Sequence, residues 1–445
     1  MLIYFKVQNY KSFKDSVEFS MIPHEDIFNF EDHILKYGNF SILRTAAIYG
    51  SNGAGKTNLF DAIASLQKIV IGRRVQQEDL IVPFKLDTSC INEPTDFEIE
   101  YISDDIRYRY CLSIFKVSIV YESLSTINEQ GEENLIYERT LGSDEKNTIE
   151  LKKSFLSEKE EMRLELYAEE LDKNKLETFL KFGSTRNFNS LSSAYLWFER
   201  QLEVVKPGAH YKDQITFYSN PAMIELSNQI ISILDLNIET VVVKLVPAQD
   251  LLPEELFADI KRKIDEENGS VIIGKGKLEY HIYKDDKGEY QAGRIQTIHK
   301  NGVEFELYEE SYGTRKALDV IPGILGALSK KVYLFDEFEL GKHPYLTRLL
   351  VMAYLVACQN ARGQMIFTTH ECNLLDLKLF RRDEIWFAER DDEGKSHIYS
   401  LSDFEPEESE DLQSDYLNGM FSRIPFLGNI NKLNWHGTDS ANQKL

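Results

Sequence analysis

Cysteine is scarce in this chain of 445 residues and follows no pattern. The four cysteines, Cys90, Cys111, Cys358 and Cys372, are scattered and form no C-x-x-C pair. This spacing argues against a disulfide framework and against a zinc site, and it fits a reducing compartment.

Long apolar runs are also missing. The longest, around residues 320–328 and 349–358, are too short to span a bilayer. Residues 1–7 alternate in the manner of a strand and lack the basic start and the apolar core of a signal peptide. We therefore expect a cytoplasmic protein with no membrane partner.

Positive charge is in deficit, with 51 Lys and Arg against 73 Asp and Glu and a formal net charge of −22. The overall field of such a chain does not steer it to nucleic acid. Basic clusters at 261–263 and 381–382 are more typical of solvated helix faces than of phosphate sites. Contact with DNA through a local groove stays open, without support from the charge balance.

One stretch carries a complete G-x-x-x-x-G-K-[ST] pattern: Gly50, Ser51, Asn52, Gly53, Ala54, Gly55, Lys56 and Thr57. It follows an apolar run at 46–49 and precedes residues 59–66, where Leu and Ile recur at helical spacing, so the context is strand, turn and helix. Glycines let the backbone wrap around phosphates, while N–H groups and the helix N-terminus supply positive potential. Lys56 is predicted to reach the β- and γ-phosphates and Thr57 to bind Mg²⁺. The chain is therefore predicted to bind ATP or another nucleoside triphosphate with Mg²⁺.

A second motif, which ends in two acidic residues, lies far downstream. Residues 331–335 form an apolar strand that ends in Asp336 and Glu337, as in a Walker B motif. Asp336 is predicted to hold Mg²⁺ through the metal's water shell, and Glu337 to polarise the attacking water as a general base. The next apolar strand, 364–370, ends in His370. Because parallel strands end at one edge of a sheet, His370 is expected to touch the γ-phosphate or the water.

The rest of the chain alternates between strand-rich and helical regions. Residues 88–150 predict an antiparallel sheet with a hairpin turn at 103–105, and 238–310 mix strands with helix. No heptad repeat is sustained long enough for a long coiled coil. Helices are predicted at 158–171, 191–202, 222–234, 253–264, 311–328 and 346–358.

The order of strand, Asp-Glu, helix, strand and His resembles that of ABC-type ATPases, including SMC proteins and the double-strand-break repair ATPases. This resemblance implies that Ser-Tyr-Gly-Thr at 311–314 is the signature loop, just upstream of Walker B. In that family Ser311 and Gly313 would bind the γ-phosphate held by the other subunit, which a helix N-terminus favours physically.

Further segments bring the resemblance closer to one branch: 9–13, 47–50, 83–87, 310–311, 343–344, 381–387 and 416–419. Together they resemble AAA15-class ATP-binding proteins, which are akin to the ATPase half of OLD nucleases and include the RloA, abortive-infection L and PARIS ATPases. The resemblance covers nearly the whole chain and also implies Lys11 as a nucleotide contact.

The chain departs from that branch at two places near the site. Tyr312 stands where Asp or Gly is usual, and Gly341-Lys342 replaces the usual Ser-Leu before His-Pro. Both changes could alter contacts across a dimer and hence the turnover rate. For the Q-loop glutamine, Gln76 and Gln77 are weak candidates.

We therefore predict an α/β fold, an ABC-type P-loop ATPase head made of a mixed sheet plus an antiparallel β subdomain, with a mainly helical insertion. The predicted divisions are an N-terminal lobe at 1–150, the insertion at 151–290, a C-terminal lobe at 291–430 and a disordered tail at 431–445.

The resemblance implies a Mg²⁺-dependent ATPase that serves as the sensor or scaffold of a bacterial anti-phage, abortive-infection system. It would form a homodimer or higher oligomer through ATP, with a separately encoded TOPRIM or nuclease-like effector and a phage protein as trigger. No nuclease constellation is visible, because the acidic run at 403–411 lacks the glycine-bearing strand of a TOPRIM site.

Two alternatives stay open. One is a DNA-repair or chromosome-maintenance ATPase of the SMC-like type, against which the acidic charge and the missing coiled coil count. The other is a nucleotide-gated scaffold with little hydrolysis, which Glu337 argues against and the substituted signature loop favours.

Overall fold

The chain is seen as a computed structural model, which describes residues 1–72, 81–152, 164–186, 188–207, 214–267, 270–274, 280–285, 287–326, 330–357, 359, 362–404 and 412–421. The strands in this part are β1 Leu2–Gln8, β2 Val17–Ser20, β3 Ile34–Tyr37, β4 Phe40–Leu43, β5 Thr45–Gly50, β6 Thr95–Ser103, β7 Ile106–Phe115, β8 Ser118–Ile127, β9 Glu133–Leu141, β10 Asn147–Leu151, β11 Leu202–Val205, β12 Ile238–Pro247, β13 Val271–Ile273, β14 Tyr280–Lys284, β15 Tyr290–His299, β16 Glu304–Glu306, β17 Val332–Phe335, β18 Gln364–Thr368, β19 Ile385–Arg390 and β20 Ser396–Ser400. The helices are α1 Lys56–Ile71, α2 Leu164–Lys173, α3 Phe179–Ser184, α4 Asn189–Leu196, α5 Gln214–Tyr218, α6 Pro221–Ile233, α7 Ala248–Leu251, α8 Glu254–Glu267, α9 Tyr312–Gly326, α10 Pro344–Ala357 and α11 Leu412–Leu417.

The nucleotide motifs lie on a six-stranded sheet of order β11-β17-β18-β5-β19-β20. Each pair of neighbouring strands in this sheet is parallel, except for the pair β19 and β20, which is antiparallel. Ala46 and Ile48 of β5 belong to the core that includes α1, whereas Ala47 and Tyr49 belong to the core that includes α9 and α10. Because both faces are covered, this strand is apolar throughout rather than alternating. Because β5, β17 and β18 run parallel, their carboxyl ends lie at one edge of the sheet.

A second, wholly antiparallel sheet has the order β10-β9-β8-β7-β6-β1-β2. Asp104 and Asp105 connect β6 to β7 with φ angles of 47° and 64°. Positive φ at both central residues is the signature of a type I′ hairpin turn. The predicted antiparallel sheet and its hairpin turn are confirmed.

A buried carboxylate ties the following helical segment to this sheet. Glu122 of β8 is fully buried and accepts hydrogen bonds from five donors: Tyr110 Oη (3.1 Å), Tyr137 Oη (2.7 Å), Arg139 Nη1 (3.3 Å), Phe179 N (2.8 Å) and Leu180 N (3.0 Å). Since a buried charge is tolerated only when it is paired and hydrogen-bonded, these contacts fix the start of α3 against β8.

The segment predicted as an insertion, residues 151–290, contributes a strand to the sheet that carries the nucleotide motifs. Its strand β11 pairs in parallel with β17 and so forms an edge of the nucleotide-binding sheet. The predicted helix at 191–202 is confirmed up to its last residue: α4 continues as a π-helical turn over Trp197–Gln201, and the chain is extended as β11 from Leu202. Local periodicity could not reveal this, because the extended stretch is short and takes its hydrogen bonds from a strand 130 residues away in sequence.

A third sheet, of order β12-β15-β14-β13 with β16 on β15, confirms the mixture of strands and helix expected at 238–310. The predicted boundary at 290 falls at the first residue of β15, which pairs with β12. The division at that point therefore cuts through one sheet.

The predicted helices at 222–234, 253–264, 311–328 and 346–358 correspond to α6, α8, α9 and α10. Of the helix predicted at 158–171, α2 covers the part from 164. The tail at 431–445 lies outside the described residues. Within the described ranges, no helix combines the length and the apolar character that crossing a bilayer requires.

Candidate nucleotide-binding site

The phosphate loop runs from the end of β5 to the start of α1 and packs against Ser12 and Ser396. Gly55 has a φ of 110°, and a Cβ there would lie 2.4 Å from Ser396 Oγ and 3.2 Å from Ser12 Oγ. Ser12 Oγ accepts hydrogen bonds from Asn58 Nδ2 at 2.7 Å and from Ser396 Oγ at 2.8 Å. Only glycine satisfies both the left-handed conformation and the close approach, so the loop is held in one shape.

A pocket of about 130 Å³ lies over this loop. Two residues from distant parts of the sequence, Glu337 and His370, complete its wall. The loop contributes Ser51, Asn52, Gly53, Ala54, Gly55, Lys56, Thr57 and Asn58. The structure thus brings together the predicted phosphate loop, the predicted base and the predicted histidine.

Lys56 is the central cation of the pocket. Its Nζ donates to Gly50 O at 2.7 Å, to Ser51 O at 3.1 Å and to His370 Nε2 at 3.1 Å. Because an ammonium can only donate, the imidazole must accept at Nε2 and is therefore neutral. Burial lowers the pKa of Lys56 to about 8, against the opposing effect of nearby carboxylates. Burial, together with the Lys56 charge, also lowers the pKa of His370, which agrees with a neutral ring.

The two Walker B acids are fixed by both neighbouring strands. Thr368 Oγ1 donates to Asp336 Oδ1 at 2.6 Å and accepts from Glu337 N at 2.8 Å. On the other side, Asp336 N donates to Val205 O at 3.0 Å. These bonds hold Glu337 at a left-handed φ of 51°, a conformation that non-glycine residues seldom adopt.

The surroundings of Glu337 suit a proton acceptor. Burial raises the pKa of its carboxyl, and the charges of Asp336 and Glu339 raise it further. A carboxylate of raised proton affinity beside a phosphate pocket has the property that a general base needs near neutral pH.

The predicted metal ligands offer oxygen donors of the kind that Mg²⁺ prefers. Thr57 is exposed in the pocket at the start of α1, and Asp336 is buried with one carboxylate oxygen bound by Thr368. Mg²⁺ usually keeps several waters and takes phosphate oxygens, so a hydroxyl and one carboxylate from the protein fit it.

Ser311 and Gly313 lie outside the pocket of their own chain, at the start of α9. Ser311 Oγ accepts from Thr314 N at 3.1 Å and so caps the helix. Their predicted contact with nucleotide on another copy stays a prediction. Tyr312 and Gly341, one residue from each of the two unusual places, contact each other: a Cβ on Gly341 would lie 2.1 Å from Tyr312 Cε1.

Lys11 does not line the pocket. Its Nζ pairs with Asp61 Oδ2 of α1 at 2.5 Å, and Asp61 also pairs with Lys206 at 2.6 Å. The nucleotide contact carried over to Lys11 therefore stays a prediction. The Q-loop candidates Gln76 and Gln77 lie outside the described residues.

Sequence reasoning missed three polar side chains of the site: Ser12 behind the loop, Thr368 between the acids, and Glu339. Glu339 Oε1 accepts from His370 N at 2.8 Å. Thr368 could have been found from its place at a strand end, two residues before His370. Nothing local distinguishes Ser12 or Glu339, because their partners are remote in sequence.

Fold and site together define an ABC-type P-loop ATPase head. Residues 46–376 match the family model AAA_21, described as "AAA domain, putative AbiEii toxin, Type IV TA system". Since this match spans most of the chain, the protein belongs to that family. No curated protein matches the chain.

Solved structures similar to the chain include SMC heads. The SmcHead bound to the C-winged helix domain of ScpA is 13% identical with a TM-score of 0.40, covering 90% of this chain and 97% of its own. The SMC head domain from Thermotoga maritima is 11% identical with a TM-score of 0.35, covering 90% and 98%. The Smc head with an extended coiled coil, bound to the C-terminal domain of ScpA derived from Pyrococcus furiosus, is 14% identical with a TM-score of 0.36, covering 90% and 96%.

Proposed function

We propose that this chain binds ATP with Mg²⁺ and hydrolyses it. The observation that carries the proposal is the convergence of Lys56, His370 and Glu337 on one pocket over the phosphate loop. The loop and the start of α1 offer backbone N–H groups, and Lys56 offers a cation, so the pocket suits a triphosphate.

Each residue then has a defined task. Lys56 exchanges its bonds to Gly50 O and Ser51 O for the β- and γ-phosphates. Glu337 takes the proton of the attacking water, and neutral His370, relieved of Lys56, accepts a hydrogen bond from that water or donates to the γ-phosphate. Mg²⁺ at Thr57 and Asp336 would neutralise phosphate charge.

For the biological role, we infer the ATPase sensor or scaffold of an anti-phage, abortive-infection system, in the AAA15 group. Support comes from the segments quoted above and from the family description, which names a putative AbiEii toxin and a toxin–antitoxin system. The longest helix in the described ranges has 16 residues, which does not favour an SMC-like coiled-coil machine. The partners in this proposal are a second copy of the chain, a separate nuclease-like effector and a phage-protein trigger.

The binding half is tested with Lys56→Ala, which removes the main charge on the phosphates. We expect the variant to lose ATP binding in a titration with a fluorescent ATP analogue. Lys6→Ala is the matched control, because Lys6 lies on β1 and pairs with Glu18 instead. Unchanged affinity in Lys56→Ala would refute the nucleotide site.

The hydrolysis half is tested with Glu337→Gln, which keeps the shape of the side chain and removes the base. Turnover should fall by roughly 10²–10⁴ while ATP binding survives. The ATP-bound assembly should then accumulate and show by light scattering as a larger species. Wild-type turnover in this variant would show that Glu337 is not the base.

The proposed defence role is tested by a pull-down of the neighbouring gene product with the Glu337→Gln variant, with and without ATP. Nucleotide-dependent retention of a nuclease-like protein supports the sensor or scaffold role. If the neighbour is a repair exonuclease, or if DNA rather than a protein controls turnover, the SMC-like alternative replaces it.

A further inference from the structure

The chain makes two tight turns directly after the Walker B strand. Leu340 N donates to Glu337 O and Lys342 N donates to Glu339 O, both at 2.9 Å. Residues 337–342, called here the post-Walker turn, therefore form a short hydrogen-bonded segment that begins at Glu337, the proposed base.

The Glu339 side chain extends from this turn to the backbone of His370. Its Oε1 accepts from His370 N at 2.8 Å, while its Oε2 is buried without a hydrogen-bond partner among the described residues. An unsatisfied buried acceptor lowers the stability of the fold. An apolar side chain would avoid that cost but would leave His370 N without this acceptor, so the carboxylate is explained by its bond to His370 rather than by packing.

The far end of the post-Walker turn packs against the start of α9. The Tyr312 ring lies where a Cβ of residue 341 would be, and a Cβ on Gly313 would lie 2.8 Å from Gly341 O. The Lys342 ammonium lies 5.0 Å from the centre of the Phe338 ring within the same turn. The turn thus contacts α9 at one end and, through Glu339, His370.

We propose that Glu339 is a positioning residue, which fixes His370 to the post-Walker turn and so couples α9 of a chain to that chain's own phosphate pocket. This inference rests on the proposed ATPase function. Its physical basis is that phosphate competes for Lys56, the side chain that His370 contacts. Once Lys56 has turned to phosphate, the bond from His370 N to Glu339 still holds the histidine in place.

The test compares Glu339→Gln with Glu339→Leu in the full chain. A glutamine Oε1 can accept the same N–H bond, whereas leucine cannot. Glu371→Gln is the matched control, because Glu371 neighbours His370 and accepts instead from Asn373 N. Turnover is followed by phosphate release, and the environment of His370 by NMR of labelled histidine, with His370→Gln used for assignment.

We expect Glu339→Leu to lower kcat by up to about 10²-fold, the loss that a misplacement of about 1 Å can cause. KM should change less than kcat, since the phosphate loop is untouched. Glu339→Gln and Glu371→Gln should both keep most of the wild-type kcat. The His370 signals should move in Glu339→Leu and stay in the two glutamine variants.

Two results would overturn the inference: a wild-type kcat with unmoved His370 signals in Glu339→Leu, or equal loss in Glu339→Gln and Glu339→Leu. A chain without any turnover would refute the proposed function instead. In that case the His370 signals alone decide about Glu339, because they are read without ATP.

Discussion

The contact between Tyr312 and Gly341 gives the sharpest test of how these two residues depend on each other. The perturbation is Gly341→Ala. Gly341 has a φ of 74°, and the new Cβ would lie 2.1 Å from Tyr312 Cε1 and 2.3 Å from Cδ1. Alanine should therefore be penalised twice, once for the backbone and once for the overlap.

The two penalties can be estimated one at a time. A left-handed conformation costs a non-glycine residue about 1–2 kcal/mol. The overlap adds a packing penalty of about 1–3 kcal/mol. Because Tyr312 is 47% exposed, its ring can move outward, so we expect the lower end of that range. The total loss of stability should be about 2–3 kcal/mol.

The assay is urea denaturation of four variants: Gly341→Ala, Tyr312→Ala, the double variant and Gly302→Ala. Gly302 is the matched control, because its φ is 77° and a Cβ there meets nothing within 4 Å. Gly302→Ala should show the backbone penalty alone. In the Tyr312→Ala background, the cost of Gly341→Ala should fall to the Gly302→Ala value.

The reasoning is refuted if Gly341→Ala and Gly302→Ala cost the same in the wild-type background. It is also refuted if removal of the Tyr312 ring leaves the cost of Gly341→Ala unchanged. In either case Tyr312 and Gly341 would be independent of each other.

Three further predictions follow from the contacts above. Since the pKa of Lys56 is about 8 and phosphate binds the ammonium form, ATP affinity should weaken by about tenfold between pH 7 and pH 9 in a binding titration; a flat profile contradicts the burial of this lysine. If Ser311 acts on the nucleotide of the other copy, mixing Lys56→Ala with Ser311→Arg should restore part of the phosphate release, and background activity despite proven subunit exchange opposes it. Glu122→Leu leaves the buried Arg139 without its charge partner and should lower the free energy of unfolding by about 3–5 kcal/mol. A urea midpoint like that of wild type would show that the carboxylate does not tie α3 to β8.

The sequence alone determined the parts of the site whose geometry is local. Residues 50–57 specify a phosphate loop because glycine conformation and backbone N–H direction depend on a few neighbouring residues. The apolar strand before Asp336 and the strand before His370 could be recognised because strands covered on both faces are apolar throughout. The hairpin at Asp104 and Asp105 was equally local.

The tertiary structure decided the parts that depend on partners. Strand β11 belongs to the nucleotide-binding sheet because β17 offers it an edge, and its four residues carry no signal of that pairing. Glu339 became part of the site through a bond to His370, 31 residues away. Apolar periodicity predicts which residues are buried but not which element covers them, so strand pairing, the contact of Tyr312 with Gly341 and the role of Glu339 arise only when the chain has folded.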